Sequence, residues 1–218
     1  MKIGIIADDL TGANATGVLL AKNGFMSATV VFGGEVPKNS NFTSISIDTD
    51  SRYCSPSNAE ERVLKAYEQL TSWGASVIGK RIDSTVRGNL GVETDALLNA
   101  IGGNSIAIVV ASYPDSGRVV SGGYLLVDGV PVEATDVAKD PMNPISISHV
   151  PTIMENQSKL KVSHVGLGTV LKGKESIQLQ IIKQIEAMNR IIVVDAVTNE
   201  EIDNIAEAMA SIDGIHFI

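Results

Sequence analysis

The chain has 218 residues, with 17 Lys+Arg against 25 Asp+Glu and a formal charge of −8, which argues against a nucleic-acid surface because such a surface needs a basic face to neutralise phosphates. Hydrophobic residues make up 44% of the chain and charged ones 19%, enough to bury a substantial core and too little charge for a disordered chain. No apolar run approaches the roughly 18 residues that span a bilayer, and the first strand is cut off at Asp8-Asp9 before it could serve as a signal-peptide core, so the expectation is a cytoplasmic protein with no membrane partner, folded as one domain over residues 1–218.

Short apolar runs rich in β-formers alternate with stretches of helical period, the pattern of βα units around a parallel sheet. In chain order the pattern predicts a strand at Lys2 to Ala7, a helix at Gly12 to Asn23, strands at Ala28 to Phe32 and Ser44 to Asp48, and a helix at Asn58 to Trp73. It continues with a strand at Ser76 to Lys80, a helix at Leu90 to Ile101 and a strand at Ser105 to Ala111. In that helix Leu90, Leu97, Leu98 and Ile101 share one face of a 3.6-residue period. The hairpin signal Asp128-Gly129 between Tyr124 to Val127 and Val130 to Val132, with the Pro-containing stretch Lys139 to Pro144, marks Gly117 to Pro144 as an inserted flap. Strands at Val162 to Leu167, Ile191 to Asp195 and Gly214 to Ile218, with helices at Lys174 to Asn189 and Asn199 to Ser211, complete the chain. The expected fold is therefore three-layer α/β, a mostly parallel central sheet with helices on both faces and an inserted β-hairpin flap.

Ligands of open α/β sheets collect at the carboxyl ends of the strands. After the first strand, the adjacent carboxylates Asp8 and Asp9 suit hydroxyl groups or a proton, although one of them, or Thr11, would equally serve as a helix cap. After the fourth, Lys80-Arg81-Ile82-Asp83-Ser84-Thr85-Val86-Arg87-Gly88-Asn89 gathers three cations, one carboxylate and two hydroxyls in an acidic protein. A small anion carrying hydroxyls is the natural guest: guanidinium groups grip carboxylates, Gly88 lets backbone come close, and Asn89 is a natural cap. Gly168 to Glu175 has the frame of a phosphate-binding loop, but Glu175 stands where a magnesium-holding hydroxyl is needed, so no nucleotide site is expected there. The lone Cys54 excludes an internal disulfide, and His149, His164 and His216 show no ligand spacing, so no metal site is expected in this chain.

The two loops, with Asp50-Ser51-Arg52, Tyr113 to Arg118, Gly122-Gly123, Asp128 to Pro131, Asp140-Pro141 and Asp195 to Thr198, resemble in order the N-terminal domain of the four-carbon acid sugar kinases, the group of D-threonate and D-erythronate kinases. The resemblance implies an N-terminal domain that holds the sugar acid and a C-terminal domain, supplied in cis or trans, that binds ATP and Mg2+; such kinases often pair as homodimers. It implies that Arg52, Lys80 and Arg87 neutralise the substrate carboxylate and the phosphoryl group, that Asp8 and Asp9 hold the hydroxyls, one of them as base, and that Ser51, Asp83, Ser84 and Gly88 orient the guest. Gly117 and Arg118 would close the far wall. The chain departs from the family pattern at Ala15 and Ala134, where the family usually carries an aspartate and a glutamate. A sugar-acid binding module without catalysis stays open as the alternative, and a phosphohydrolase is disfavoured because adjacent carboxylates lack the spacing of aspartyl phosphatases.

Overall fold

The computed structural model describes residues 1–37 and 40–218. The first half of the chain forms a parallel sheet of β1 (Ile3–Ala7), β2 (Ser27–Val30), β3 (Ser44–Asp48) and β4 (Val77–Arg81) in the order β2-β3-β1-β4. Helix α1 (Leu10–Lys22) covers one face, and α2 (Pro56–Trp73) and α3 (Leu90–Ile101) cover the other. Glycines set these distances: a Cβ on Gly4 would lie 2.8 Å from Leu70 of α2, and one on Gly17 of α1 would lie 3.4 Å from Thr29 of β2. Ser55 caps α2 and Pro56 occupies its first turn, where proline's missing N–H costs nothing, so the helix starts two residues before the predicted Asn58.

The second half forms another parallel sheet. Its strands are β5 (Ser105–Val109), β9 (Val162–Val165), β10 (Ile191–Val194) and β11 (His216–Phe217), in the order β11-β5-β10-β9. Between β5 and β9 the chain makes a separate antiparallel sheet of β6 (Arg118–Ser121), β7 (Tyr124–Val127) and β8 (Val130–Pro131), followed by helix α4 (Val150–Gln157). Helices α5 (Leu167–Val170), α6 (Lys174–Glu186) and α7 (Asn199–Ala210) complete the chain. Parallel sheets flanked by helices are thus present as expected, but the strands divide between two four-stranded sheets instead of lining up in one. Among the described residues no helix is long and apolar enough to cross a membrane.

Strand alternation places the core. Ile192 and Val194 pack with Ile177 and Ile181 of α6 and Ile205 of α7, while Ile191 and Val193 face Leu98, Leu125 and Met154. Helix α3 lies between the two halves. Leu97 joins the cluster of the first sheet and Leu98 that of the second, so the single apolar face read from the sequence is in fact two. The turn Asp128-Gly129 has positive φ at both residues, 51° and 79°, as the hairpin signal requires.

Asp195, fully buried at the end of β10, ties the flap to this frame. It accepts hydrogen bonds from the backbone N–H of Gly122 (2.7 Å), Gly123 (3.0 Å) and Leu167 (2.9 Å) and from Nε2 of His164 (2.7 Å). Burial pushes its carboxyl up, but the His164 contact and these N–H donors outweigh it and leave the group below the usual carboxylate range.

Candidate functional site

The carboxyl ends of β1, β3 and β4 converge on one guanidinium, that of Arg52. The turn after β3 carries Asp50 in the left-handed region, φ 46°, held by its N–H to Asp48 Oδ1 at 2.8 Å, and this swings Arg52 across the sheet edge. Only 8% exposed, Arg52 donates Nε and Nη2 to the two oxygens of Asp8 at 2.7 and 3.1 Å, approaches Asp9 Oδ2 through Nη1 at 2.9 Å, and lies 3.4 Å from Asp83 Oδ1. The two neighbouring aspartates therefore diverge in role. Asp8 is buried and wholly engaged by Arg52. Asp9 caps α1, its Oδ1 accepting from Gly12 N at 2.7 Å, and keeps its partly exposed side chain at the cleft. The cap is therefore present, and it leaves the Asp9 side chain on the cleft lining.

The loop after β4 is built around Asp83. Its Oδ2 accepts from Thr85 Oγ1 at 2.6 Å and Arg87 Nε at 2.7 Å, and its Oδ1 accepts from Arg87 Nη2 at 3.0 Å. Burial would raise this carboxyl, but the hydrogen bonds from Arg87 and Thr85 and the charges of Arg52 and Arg87 hold it at about 2. Val86 sits at φ 58°, a conformation that β-branched residues rarely adopt, and Gly88 at φ 96° brings its Cα against the Arg52 backbone, where a Cβ would meet Arg52 Cα at 3.4 Å. Asn89 does not cap α3. Its Nδ2 donates to the carbonyls of Ser51 and Cys54 at 3.0 and 3.1 Å, and Gln157 of α4 instead accepts from Gly91 N at 2.9 Å.

Lys80 and Arg81 are adjacent on β4 and so point to opposite faces. Lys80 turns toward α3, where its ammonium meets Glu93 at 2.7 Å; Glu93 also accepts from Ser51 Oγ at 2.7 Å, and all three side chains are buried away from solvent. Neither Lys80 nor Ser51 is on the lining of the open cleft; Lys80, expected to neutralise the phosphoryl group, is here the buried counter-ion of Glu93. Arg81 turns toward α1: a Cβ on Gly12 would lie 3.3 Å from Arg81 Cγ.

The far wall comes from the turn before β6. Gly117, at φ 72°, leaves no room for a Cβ, which would collide with Asp128, and Arg118 is tied back by Nη1 to the Ser116 carbonyl. Between the walls lies an open cleft of about 490 Å3, lined by Asp9, Thr11, Gly12, Ala15, Arg52, Arg81, Asp83, Ser84, Arg87, Tyr113 and Arg118 among others. It therefore includes Ser84 and Arg118 as expected. Gly117 supports the wall from behind, and Ala15 lies on the lining while Ala134 does not.

Asp140 completes the site, and sequence reasoning did not single it out as a site residue. It accepts from Arg87 Nη1 at 2.9 Å, Tyr53 Oη at 3.1 Å, and the N–H groups of Met142 and Asn143 at 2.9 and 3.1 Å. The Met142 N–H foremost, with Arg87, Asn143 and Tyr53, holds its carboxyl at about 2. Its signal was the Asp-Pro-x-Asn-Pro run, which reads locally as a loop and here clamps the flap onto Arg87.

The four aspartates are thus committed to two arginines, and among the described residues of this cleft no carboxylate pair is left free for Mg2+, which these residues therefore do not fit. The Gly168–Glu175 segment forms the short α5 and a turn at Gly173 into α6, a helix-to-helix connection and not the strand-to-helix loop of a phosphate site.

The family model of sugar-binding N-terminal domains matches residues 3–218. The chain is 48% identical over 204 residues to the D-erythronate kinase of Heliobacterium modesticaldum, covering 93% of this chain and 46% of that protein. It is 36% identical over 212 residues to the D-threonate kinase of Salmonella typhimurium, covering 95% of this chain and 48% of that one. The crystal structure of Haemophilus influenzae protein HI1011 superposes with a TM-score of 0.89 at 30% identity, covering 98% of this chain and 53% of that one. The chain spans about half the length of the curated relatives it matches. With the match running through both parallel sheets and every loop of the cleft, the chain belongs to the family of sugar-binding N-terminal domains.

Proposed function

We propose that this chain is the acceptor half of an ATP-dependent kinase for four-carbon acid sugars such as erythronate and threonate. The observation that carries the reading is Asp9. One of its oxygens is fixed by Gly12 N and the other by Arg52, in a cleft whose walls also offer the hydroxyls of Thr11, Ser84 and Tyr113. A small polyhydroxylated acid fits that mixture of acceptors, hydroxyls and guanidinium groups.

In this reading Asp9 accepts the hydrogen bond of the substrate hydroxyl that attacks phosphorus and aims its lone pair out of the cleft. Phosphoryl transfer passes through a loose transition state, so positioning and charge count for more than the strength of the base. Arg52 and Asp83 hold Asp9 and Arg87 in register; Arg87, still partly exposed, adds positive charge beside the transfer path. The nucleotide and its Mg2+ come with a C-terminal domain, in cis or trans, corresponding to the part of the relatives that this chain does not span.

Calorimetric titration with D-erythronate and D-threonate tests the reading. The parent chain should bind at least one of them with one-to-one stoichiometry, and Asp9→Asn should weaken that binding by about tenfold, as expected for loss of a charge-assisted hydrogen bond. A chain that binds neither acid would overturn the assignment.

A further inference from the structure

Four arginines line the cleft, and among the described residues only two of them are paired with carboxylates. Arg52 and Arg87 are held by Asp8, Asp9, Asp83 and Asp140 at 2.7 to 3.4 Å, so the charge around these two guanidinium groups is more negative than positive. Arg81 and Arg118 take part in no ion pair among the described residues, and each keeps a buried Nε–H that meets no acceptor. Native proteins leave few buried donors unpaired, and a pair of them on one cleft marks where an acceptor belongs. The strand register explains how Arg81 reaches it: one residue after Lys80, it faces α1 and the cleft instead of Glu93.

We propose that Arg81 and Arg118 form the receptor for the carboxylate of the bound acid and thereby set its direction in the cleft. This rests on the sugar-acid reading above and deepens it. A carboxylate is repelled by the four aspartates that surround Arg52 and Arg87, and it finds unpaired N–H donors on Arg81 and Arg118. Hydroxyls, which donate to carboxylates, take Asp9. The guest therefore lies with its acid group on Arg81 and Arg118 and a hydroxyl on Asp9. The site prefers acids over neutral polyols for that reason, whereas Arg52 and Arg87, conspicuous in the sequence, serve mainly to hold the aspartates.

The test is titration of D-erythronate, and of erythritol as its neutral four-carbon analogue, onto the parent, R81A, R118A and the R81K/R118K double variant. The parent should prefer erythronate by about tenfold or more, and each alanine variant should lose about tenfold in erythronate affinity while erythritol changes by less than about twofold. The lysine double variant, which keeps charge but not the fork, should fall between. Neither substitution strands a carboxylate, so melting temperatures should stay near that of the parent. As a direct readout on the intact parent, two arginine Nε–H resonances, assigned by their loss in R81A and R118A, should move with erythronate and not with erythritol. Erythronate binding equally well to the parent and to both alanine variants would overturn the receptor and leave the sugar-acid reading standing. Equal losses of erythronate and erythritol would also overturn it, as general damage to the cleft. A parent that binds no erythronate would overturn both.

Discussion

Arg52→Met is expected to destabilise the protein by about 3–5 kcal/mol, the range for removing one partner of a buried ion pair. Arg52 is 8% exposed and reaches Asp8, Asp9 and Asp83 together; without it, Asp8, itself 4% exposed, loses the cation that engages both of its oxygens, and Asp83 is left with Arg87 alone. Methionine fills much of the space, so the loss is electrostatic more than a matter of packing. For a chain of this size such a change lowers the melting temperature by about 10 °C or more. The effect should be non-additive. Asp8→Asn removes the closest stranded charge, so Arg52→Met combined with Asp8→Asn should cost less than the two separately, with a coupling of about 1–3 kcal/mol. Urea denaturation of the four proteins checks this; an Arg52→Met variant within about 1 kcal/mol of the parent would show that the carboxylates do not depend on Arg52.

The second large effect is expected outside the cleft lining, at Asp195. Alanine there leaves three backbone N–H groups, of Gly122, Gly123 and Leu167, and the His164 ring without their acceptor, Asp195 and Gly123 being buried and Leu167 and His164 half-buried. With about 1–3 kcal/mol for each stranded donor, partly relieved by local opening, a net loss of about 4 kcal/mol follows. The loss should be directional. The Gly122-Gly123 turn joins β6 to β7, so its release frees the sheet that carries Arg118, and sugar-acid affinity should fall with stability. Hydrogen exchange reads the cause: the Gly122 and Gly123 amides should lose protection in Asp195→Ala while amides of β1 and β3 keep theirs. Unchanged protection at that turn would refute the anchoring role.

Much of this architecture was legible from local pattern. Strand β3 and helix α3 run from Ser44 to Asp48 and from Leu90 to Ile101, as their alternation and period require, and Asp128-Gly129 turns as its side chains dictate. Helix α4 escaped notice because Pro151 reads as a breaker, although at the start of a helix it is accommodated without loss. Strand β6 is a four-residue run between glycines, too short to show a period. The division into two parallel sheets could not be read locally, because parallel partners are chosen by contacts distant in sequence.

In the site, the loops were legible and the partners were not. Asp8, Asp9, Arg52, Asp83 and Arg87 do meet, but which of them neutralises which depends on a turn at Asp50 and on the close approach of Gly88 to Arg52. The separation of Lys80 from Arg81 needed only strand alternation, a signal that was present in the sequence and masked by the simple count of cations in that loop. Asp195 drew no attention as an anchor because its donors lie 28 to 73 residues away along the chain.

The most direct measurement is the crystal structure of this chain with D-erythronate. The account predicts the acid in the cleft between α1 and the turn before β6, its carboxylate against Arg81 and Arg118 and a hydroxyl on Asp9. Erythronate bound outside that cleft, or with its carboxylate on Arg52 and Arg87, would contradict it.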